Sequence, residues 1–435
     1  MTGADRIPIE QVRRYARMNI VAGFLIWGIA LAGVSMMMPI MYNTISQDMH
    51  WTVSQTTSFM AIKSAVSALG GLFAGGLFVK FGLKRVFVPS IVTVGASTCL
   101  LYFVNNLPVY YILAAASGFA SILCLIAIQV TLAQWYSGSL GRITGFAMLG
   151  GAVAGLVVPM ATSFGLHRYG WHVTTGVGGI IVLVFLTLAV VLLVRETPEA
   201  YGYTAEELDP GHGKRGAPAA GQPIDHGPEF SSFLKTKQFA LLIVATALSG
   251  VISNSINEYI PLFIERHTNL GSYVAALGFT IVLVISGLGK ILFGWVFDRF
   301  STKGVSLCWA ICGIAAMLTF PLAGFASFLV FTVVRGISHG GVVVQAPVLA
   351  RHIYGVKSLP QVISLLGASF HLGASAGIAA IGLGVDLTGG FTIPFIIVAV
   401  LAFVAAALGL RFEPKYWSGY TGHKDAPQTA EAPAA

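Results

Sequence analysis

Charge is scarce in this 435-residue chain, where Asp, Glu, Lys and Arg together make up 10% of the residues. A soluble domain carries roughly a quarter, so a water-soluble globular protein is excluded. Acids are the rarer sign, 17 against 25 basic residues. Cysteine is also sparse. Cys99, Cys124, Cys308 and Cys312 all fall in apolar stretches without metal or disulfide spacing, and they read as small apolar residues. No phosphate cradle is present. The glycine run GGLFAGG at 70–76 lies inside an apolar stretch and lacks the lysine and hydroxyl residue that would follow it in an ATP site, so it reads as a helix-packing segment. With no enzymatic motif, the expectation is a protein that is not an enzyme, uses no cofactor or metal, and is not driven by ATP.

Apolar length is what the chain has in abundance: 56% of it is hydrophobic and the mean hydropathy is +0.80. A membrane-crossing helix needs about 20 such residues. Windows of that length predict spans at 18–42, 54–79, 86–104, 108–134, 143–164 and 173–194, then at 238–263, 273–297, 305–323, 326–350, 360–385 and 392–410. These twelve imply an all-α membrane protein with both termini on one side. The basic N-terminal segment runs into a full-length span without a small-residue cleavage site, so it is not read as a cleaved signal peptide.

The net charge of +8 could suggest nucleic acid as a partner, but its distribution argues for topology instead. Basic residues gather in every second connection, from Arg13, Arg14 and Arg17 through Lys80, Lys84 and Arg85 to Lys303, Arg351 and Arg411; Arg6, Arg142, Lys214, Arg215, Lys357 and Lys424 fall on the same side. The alternate loops hold only Arg168 and Arg266. The positive-inside rule then places both termini in the cytoplasm of a cell-membrane protein. One hydrophilic stretch, rich in proline and glycine, divides the chain. The expected organisation is a cytoplasmic segment 1–17, a six-helix bundle 18–194, a cytoplasmic linker 195–237, a second bundle 238–411, and a disordered tail 412–435.

The halves look duplicated. GGLFVKFGLKR at 75–85 and GWVFDRFSTKG at 294–304 are 219 residues apart; near that offset Gly118 matches Gly336, Tyr136 matches Tyr354 and Gly155 matches Gly373. Duplicated halves with a site at their mid-membrane junction are a common transporter plan.

Three cations, Lys63, Lys290 and Arg335, lie within the spans, with Glu258 the one clear acid at similar depth. A charge at mid-bilayer costs about 3 to 10 kcal/mol and is retained where it faces a cavity or a partner. The predicted spans 3, 6, 9 and 12 contain no Asp, Glu, Lys, Arg or His; every ionisable residue falls in another span. An excess of buried positive charge suits an anion that comes and goes. Arg335 offers a planar fork suited to a carboxylate, with His339 one turn on, or it braces a neighbouring helix. Lys290 contacts an anion, pairs with Glu258 or snorkels to the membrane surface. His371 and Lys63 are further anion contacts or structural groups. Asn254 and Asn257 flank Glu258 as polar substrate contacts. Glu258 itself is the candidate proton carrier, since a low-dielectric setting lets a carboxylate load a proton near neutral pH; His339 is the second.

The loop pattern Gly75, Leu77, Lys80, Gly82, Lys84, Arg85 and its echo Gly294, Asp298, Arg299 resembles the signature of the major facilitator superfamily over essentially the whole chain. That resemblance implies two pseudo-symmetric six-helix bundles, transport by alternating access, and a cytoplasmic charge latch formed by Asp298, Arg299, Gly82 and Arg85. Val79 stands where the family's first-half aspartate belongs. A narrower likeness of 134–155 and 287–299 to the monocarboxylate and oxalate/formate carriers implies that Lys290 meets a substrate carboxylate. His371 stands near a lysine of the oxalate/formate carriers, which favours a monocarboxylate. The expected protein is a monomeric carrier of a small organic anion in a lipid bilayer, coupled to protons, with exchange or uniport as alternatives. A drug-efflux carrier would need excess acid in the central spans, and a transport-inactive sensor would more naturally carry an extramembrane domain.

Overall fold

The computed structural model describes residues 7–136, 140–195, 197–208, 228–268, 270–322, 324–355 and 358–416. Most of the expected linker and the end of the tail, with Arg6, Lys214, Arg215, Lys357 and Lys424, lie outside the described residues. Ten apolar helical stretches long enough to cross a bilayer are present among those described. The single helices are α1 (Ile9–Asp48), α2 (Val53–Phe81), α3 (Leu83–Phe103) and α4 (Leu107–Trp135). Ile143–Leu193 runs for 51 residues but breaks at Gly170, where φ is +77°, into α5 (143–169) and α6 (171–193). After α7 (Lys237–His267), the 46 residues Ser272–Met317 break at Ser301, φ +51°, into α8 (272–300) and α9 (302–317). Then come α10 (Phe325–Tyr354), α11 (Leu359–Thr388) and α12 (Thr392–Gly409). At 1.5 Å per residue the two broken stretches would each extend about 70–80 Å unbroken, more than twice a hydrocarbon core. Each therefore makes two passes, in agreement with the twelve spans read from sequence. The largest difference is α1, which begins nine residues before its predicted span.

Local chemistry sets the helix ends. Thr52 and Gln55 form a capping box on α2, while Asn106 and Thr236 cap α4 and α7 through their side chains. The turn from α2 to α3 passes through Gly82 at φ +85°. Its counterpart 219 residues on is Ser301, so the second half makes the same turn with a residue whose Cβ disfavours it.

Close crossings repeat in both halves. A Cβ on Gly150 would strike the carbonyl of Phe24, and one on Gly373 the carbonyl of Ala247, both pairs being 223 residues apart. Likewise Gly118 abuts the carbonyl of Lys63, and Gly336 that of Val282. The α1–α5 and α2–α4 crossings thus recur as α7–α11 and α8–α10. One sequence match is corrected: the partner of Gly373 is Gly150. Gly155 lies at the seam between the halves, where a Cβ would be 3.0 Å from the Leu283 side chain; a few residues inserted between the repeats moved the register.

The halves are fastened at one face. Asp386 near the end of α11 accepts hydrogen bonds from the backbone N–H groups of Val53 (2.9 Å) and Ser54 (3.0 Å) at the start of α2. Tyr259 and Thr57 hydroxyls meet at 2.6 Å, and Gly382 leaves room for both. Arg266 donates to Asn43 and Ser46, and Ser272 meets His167. Midway, the Ser64 hydroxyl donates to the His371 carbonyl at 3.0 Å. Beyond that level α2 keeps its contact with α4 and α11 its contact with α7, while nothing lies within 4 Å of a Cβ built on Gly75, Gly76 or Gly367. One face is closed and the other, lined by the lysine- and arginine-rich connections, is open.

Candidate functional site

Helix α7 organises the interior because its polar residues form two adjacent stripes. Ser253 and Asn257 are four apart and share one face; Asn254 and Glu258 share the next. The first stripe meets α10. Arg335, fully buried, donates from Nε to Asn257 Oδ1 at 3.0 Å and from a terminal nitrogen to the Ser253 carbonyl, while its other terminal nitrogen has no partner. His339 Nδ1 and the Ser253 hydroxyl are 2.8 Å apart. Cys312 of α9 lies within reach of the guanidinium's charge. Arg335 is therefore locked inside the second half in this state, closer to a brace than to an open anion contact.

The second stripe faces the first half. Tyr42 of α1 donates to Glu258 Oε2 at 3.3 Å, across the junction. Lys63 of α2 donates to the Ser35 hydroxyl at 2.8 Å and is only 5% exposed. Lys63 and Glu258 interact through their charges, but no ion pair within 4 Å closes between them. The two ions belong to different halves, so their separation depends on how the halves are arranged. In a low-dielectric interior that dependence is steep.

Lys290 differs from both. It is half-buried on α8, with its backbone pressed against α10 at Gly340. Among the described residues its ammonium has no hydrogen-bond or ion-pair partner, and its charge reaches His339. Asn254, also half-buried, makes no side-chain hydrogen bond, and His371 reaches Ser64 only loosely, at 3.5 Å from Nδ1. Arg335, Asn257, His339 and Lys290 are thus gathered on one side, Lys63 and Glu258 on the other.

The residues expected to form a latch lie at the helix ends of the lysine- and arginine-rich face. Asp298 and Arg299 are exposed at the end of α8; Arg299 rests over the Trp295 ring at 5.8 Å, and Asp298 interacts with His352 of its own half. Gly82 and Arg85 occupy the corresponding turn of the first half, beside a Val79 that is 89% exposed. Ser35, Tyr42, Ser253, Tyr259 and Asp386 escaped the sequence reading. The four-residue spacing of Ser253 and Asn257 on a helix bearing Glu258 was the available signal. Among the described residues no cluster of three or more His, Cys, Asp or Glu side chains could hold a metal ion.

Against known proteins, the sequence model of the Major Facilitator Superfamily matches residues 23–300 and 242–433. Among solved structures, a bacterial homolog of the human lysosomal transporter Spinster, inward-facing and unoccupied, is similar with a TM-score of 0.71 at 16% identity, covering 91% of this chain and 96% of that one. A D-xylose–proton symporter is similar with a TM-score of 0.68 at 16% identity, covering 93% and 98%. The nucleoside transporter NupG, as its D323A mutant, gives 0.67 at 12% identity over 92% and 99%. At such identities the likeness is one of fold. No curated protein matches the sequence.

Proposed function

The chain belongs to the Major Facilitator Superfamily, and from that premise we propose that it is a secondary transporter of a small organic anion, most simply a monocarboxylate, coupled to protons. The observation that carries the proposal is the half-buried, unpartnered ammonium of Lys290 in an interior where cations outnumber acids. An ammonium kept from water without a counter-ion is costly, and a substrate carboxylate arriving beside it relieves that cost. Asn254 and His371 supply neutral polar contacts nearby. Arg335 fixes Asn257 and, through the Ser253 it shares, positions His339. Lys63 is a second positive charge that an anion meets at the junction. The lysine- and arginine-rich open face is the cytoplasmic one by the positive-inside rule, so this is the inward-open state, with Asp298, Arg299, Gly82 and Arg85 as a latch released in it.

Proton coupling follows from Glu258. Neutralising it removes the charge that acts on Lys63 and weakens the acceptor that holds Tyr42, and both lie in the opposite half. Proton loading and the relative position of the halves are thereby linked. The test is uptake of radiolabelled monocarboxylates into proteoliposomes, with and without an inward proton gradient. Wild type is expected to accumulate at least one carboxylate and Lys290→Ala none, with both proteins equally folded. Uptake that survives loss of Lys290 would overturn the site, and gradient-independent uptake would replace symport by exchange or uniport.

A further inference from the structure

A large cavity lies away from the charges. It encloses about 600 Å³ between α1, α5 and α6, within the first half. Its walls are almost wholly apolar, and small residues make the space: Gly28 on α1, Ala154 and Ala161 on α5, Gly178 on α6. Two wide π-helical turns, Ile26–Gly33 and Ile181–Leu186, contribute to the same walls. Such turns are uncommon and tend to accompany functional sites. Val157 (57% exposed) and Val177 (52% exposed) open the cavity sideways, where a membrane protein meets acyl chains.

An apolar void of this size does not hold water. Left empty, it would forfeit packing comparable to the whole stability of a domain, so the bilayer must fill it. Towards the closed face the cavity is lined by Tyr169 and Thr174, and Thr98 and Thr162 are the other hydroxyl side chains on its walls. Beside Tyr169 is Arg168. The closed-face loops contain two basic residues, and Arg266 is engaged by Asn43 and Ser46, whereas Arg168 is exposed and has no partner among the described residues. An unpaired cation next to a tyrosine at headgroup depth complements a phosphate.

We propose that this cavity binds one acyl chain of a phospholipid from the closed-face leaflet, with the lipid phosphate held by Arg168 and Tyr169. The seated chain would lie against α1 at Met37, on the wall opposite Ser35 and its lysine. The lipid acts as a fixed filler of the space among α1, α5 and α6, and it is distinct from the transported anion.

The full chain is reconstituted in nanodiscs of phosphatidylcholine and phosphatidylglycerol, gently extracted, and its retained lipid counted by native mass spectrometry. Wild type is expected to keep one phospholipid per protein. Ala161→Trp and, independently, Val157→Trp should lower that retention at least tenfold while leaving the melting profile cooperative. Arg168→Gln should lower retention of phosphatidylglycerol but not of diacylglycerol, which lacks the phosphate. Equal retention by wild type and both tryptophan variants would overturn the site, and indifference of phospholipid retention to Arg168→Gln would overturn the headgroup contact. Release of the lipid by a saturating carboxylate would show the cavity to be a substrate site and overturn the proposal. The count needs no transport, so it stands or falls separately from the substrate assignment.

Discussion

Replacing Asp386 with alanine removes the two hydrogen bonds by which α11 holds the start of α2 across the closed face, at 2.9 and 3.0 Å. Hydrogen bonds to a charged acceptor contribute about 1.5–3 kcal/mol each when sheltered. Asp386 is exposed, which screens its charge, and losing a carboxylate at a helix start typically costs about 0.5–2 kcal/mol. A working value of about 1–2 kcal/mol shifts the ratio of closed to open at this face by about five- to thirtyfold. The helix itself is spared, because Thr52 and Gln55 still cap α2 from its own half. Spin labels at the exposed positions Asn105 and Phe325, one per half, report the distance across the face by pulsed electron resonance. The longer-distance population should grow in Asp386→Ala and grow less in Asp386→Asn, which keeps one acceptor. An unchanged distribution in the alanine variant, or a larger shift in the asparagine one, would refute the reasoning.

Glu258→Gln keeps an acceptor for Tyr42 but cannot exchange a proton; substrate counterflow should persist while stimulation by a proton gradient disappears, and retained stimulation would move the coupling elsewhere. Gly150→Ala drives a Cβ into the Phe24 carbonyl, and overpacking of this kind costs about 1–3 kcal/mol, so the melting temperature in detergent should fall. Gly75→Ala meets nothing within 4 Å and serves as the control, with melting unchanged or slightly raised. Ser301→Gly relieves a left-handed backbone worth about 1–3 kcal/mol but gives up the 2.9 Å contact with His352; a net rise in melting temperature is expected, and a fall would mean that the contact outweighs the strain.

Depth was legible in the sequence; rotation was not. Hydropathy windows located the helices because a bilayer demands continuous apolar length, and the breaks at Gly170 and Ser301 fell between predicted spans. The same windows placed Lys63, Glu258, Lys290 and Arg335 at membrane depth. Apolar residues surround these helices on all sides, however, so periodicity could not tell which way each charge turns. Arg335 faces α7 and Cys312 for that reason, while Lys290 remains open. Asp386 was not singled out because its partners are 333 and 332 residues away along the chain. The repeat was visible in its turns, but a short insertion hid that Gly150 rather than Gly155 carries the second-half crossing.

The fastening at Asp386 rests partly on the chain itself, since two of its donors on α2 are the main-chain N–H groups of Val53 and Ser54, beside the Ser54 and Thr52 side chains. The main-chain donors are present whatever side chain stands at either position, with proline the lone exception. A saturation scan of the closed face should therefore be lopsided: intolerant at 386, tolerant of small polar residues at 54, and restricted to apolar residues at the buried Val53. Sequence drift on α2 leaves the main-chain part of the joint intact, and every one of these hydrogen bonds ends on a single carboxylate.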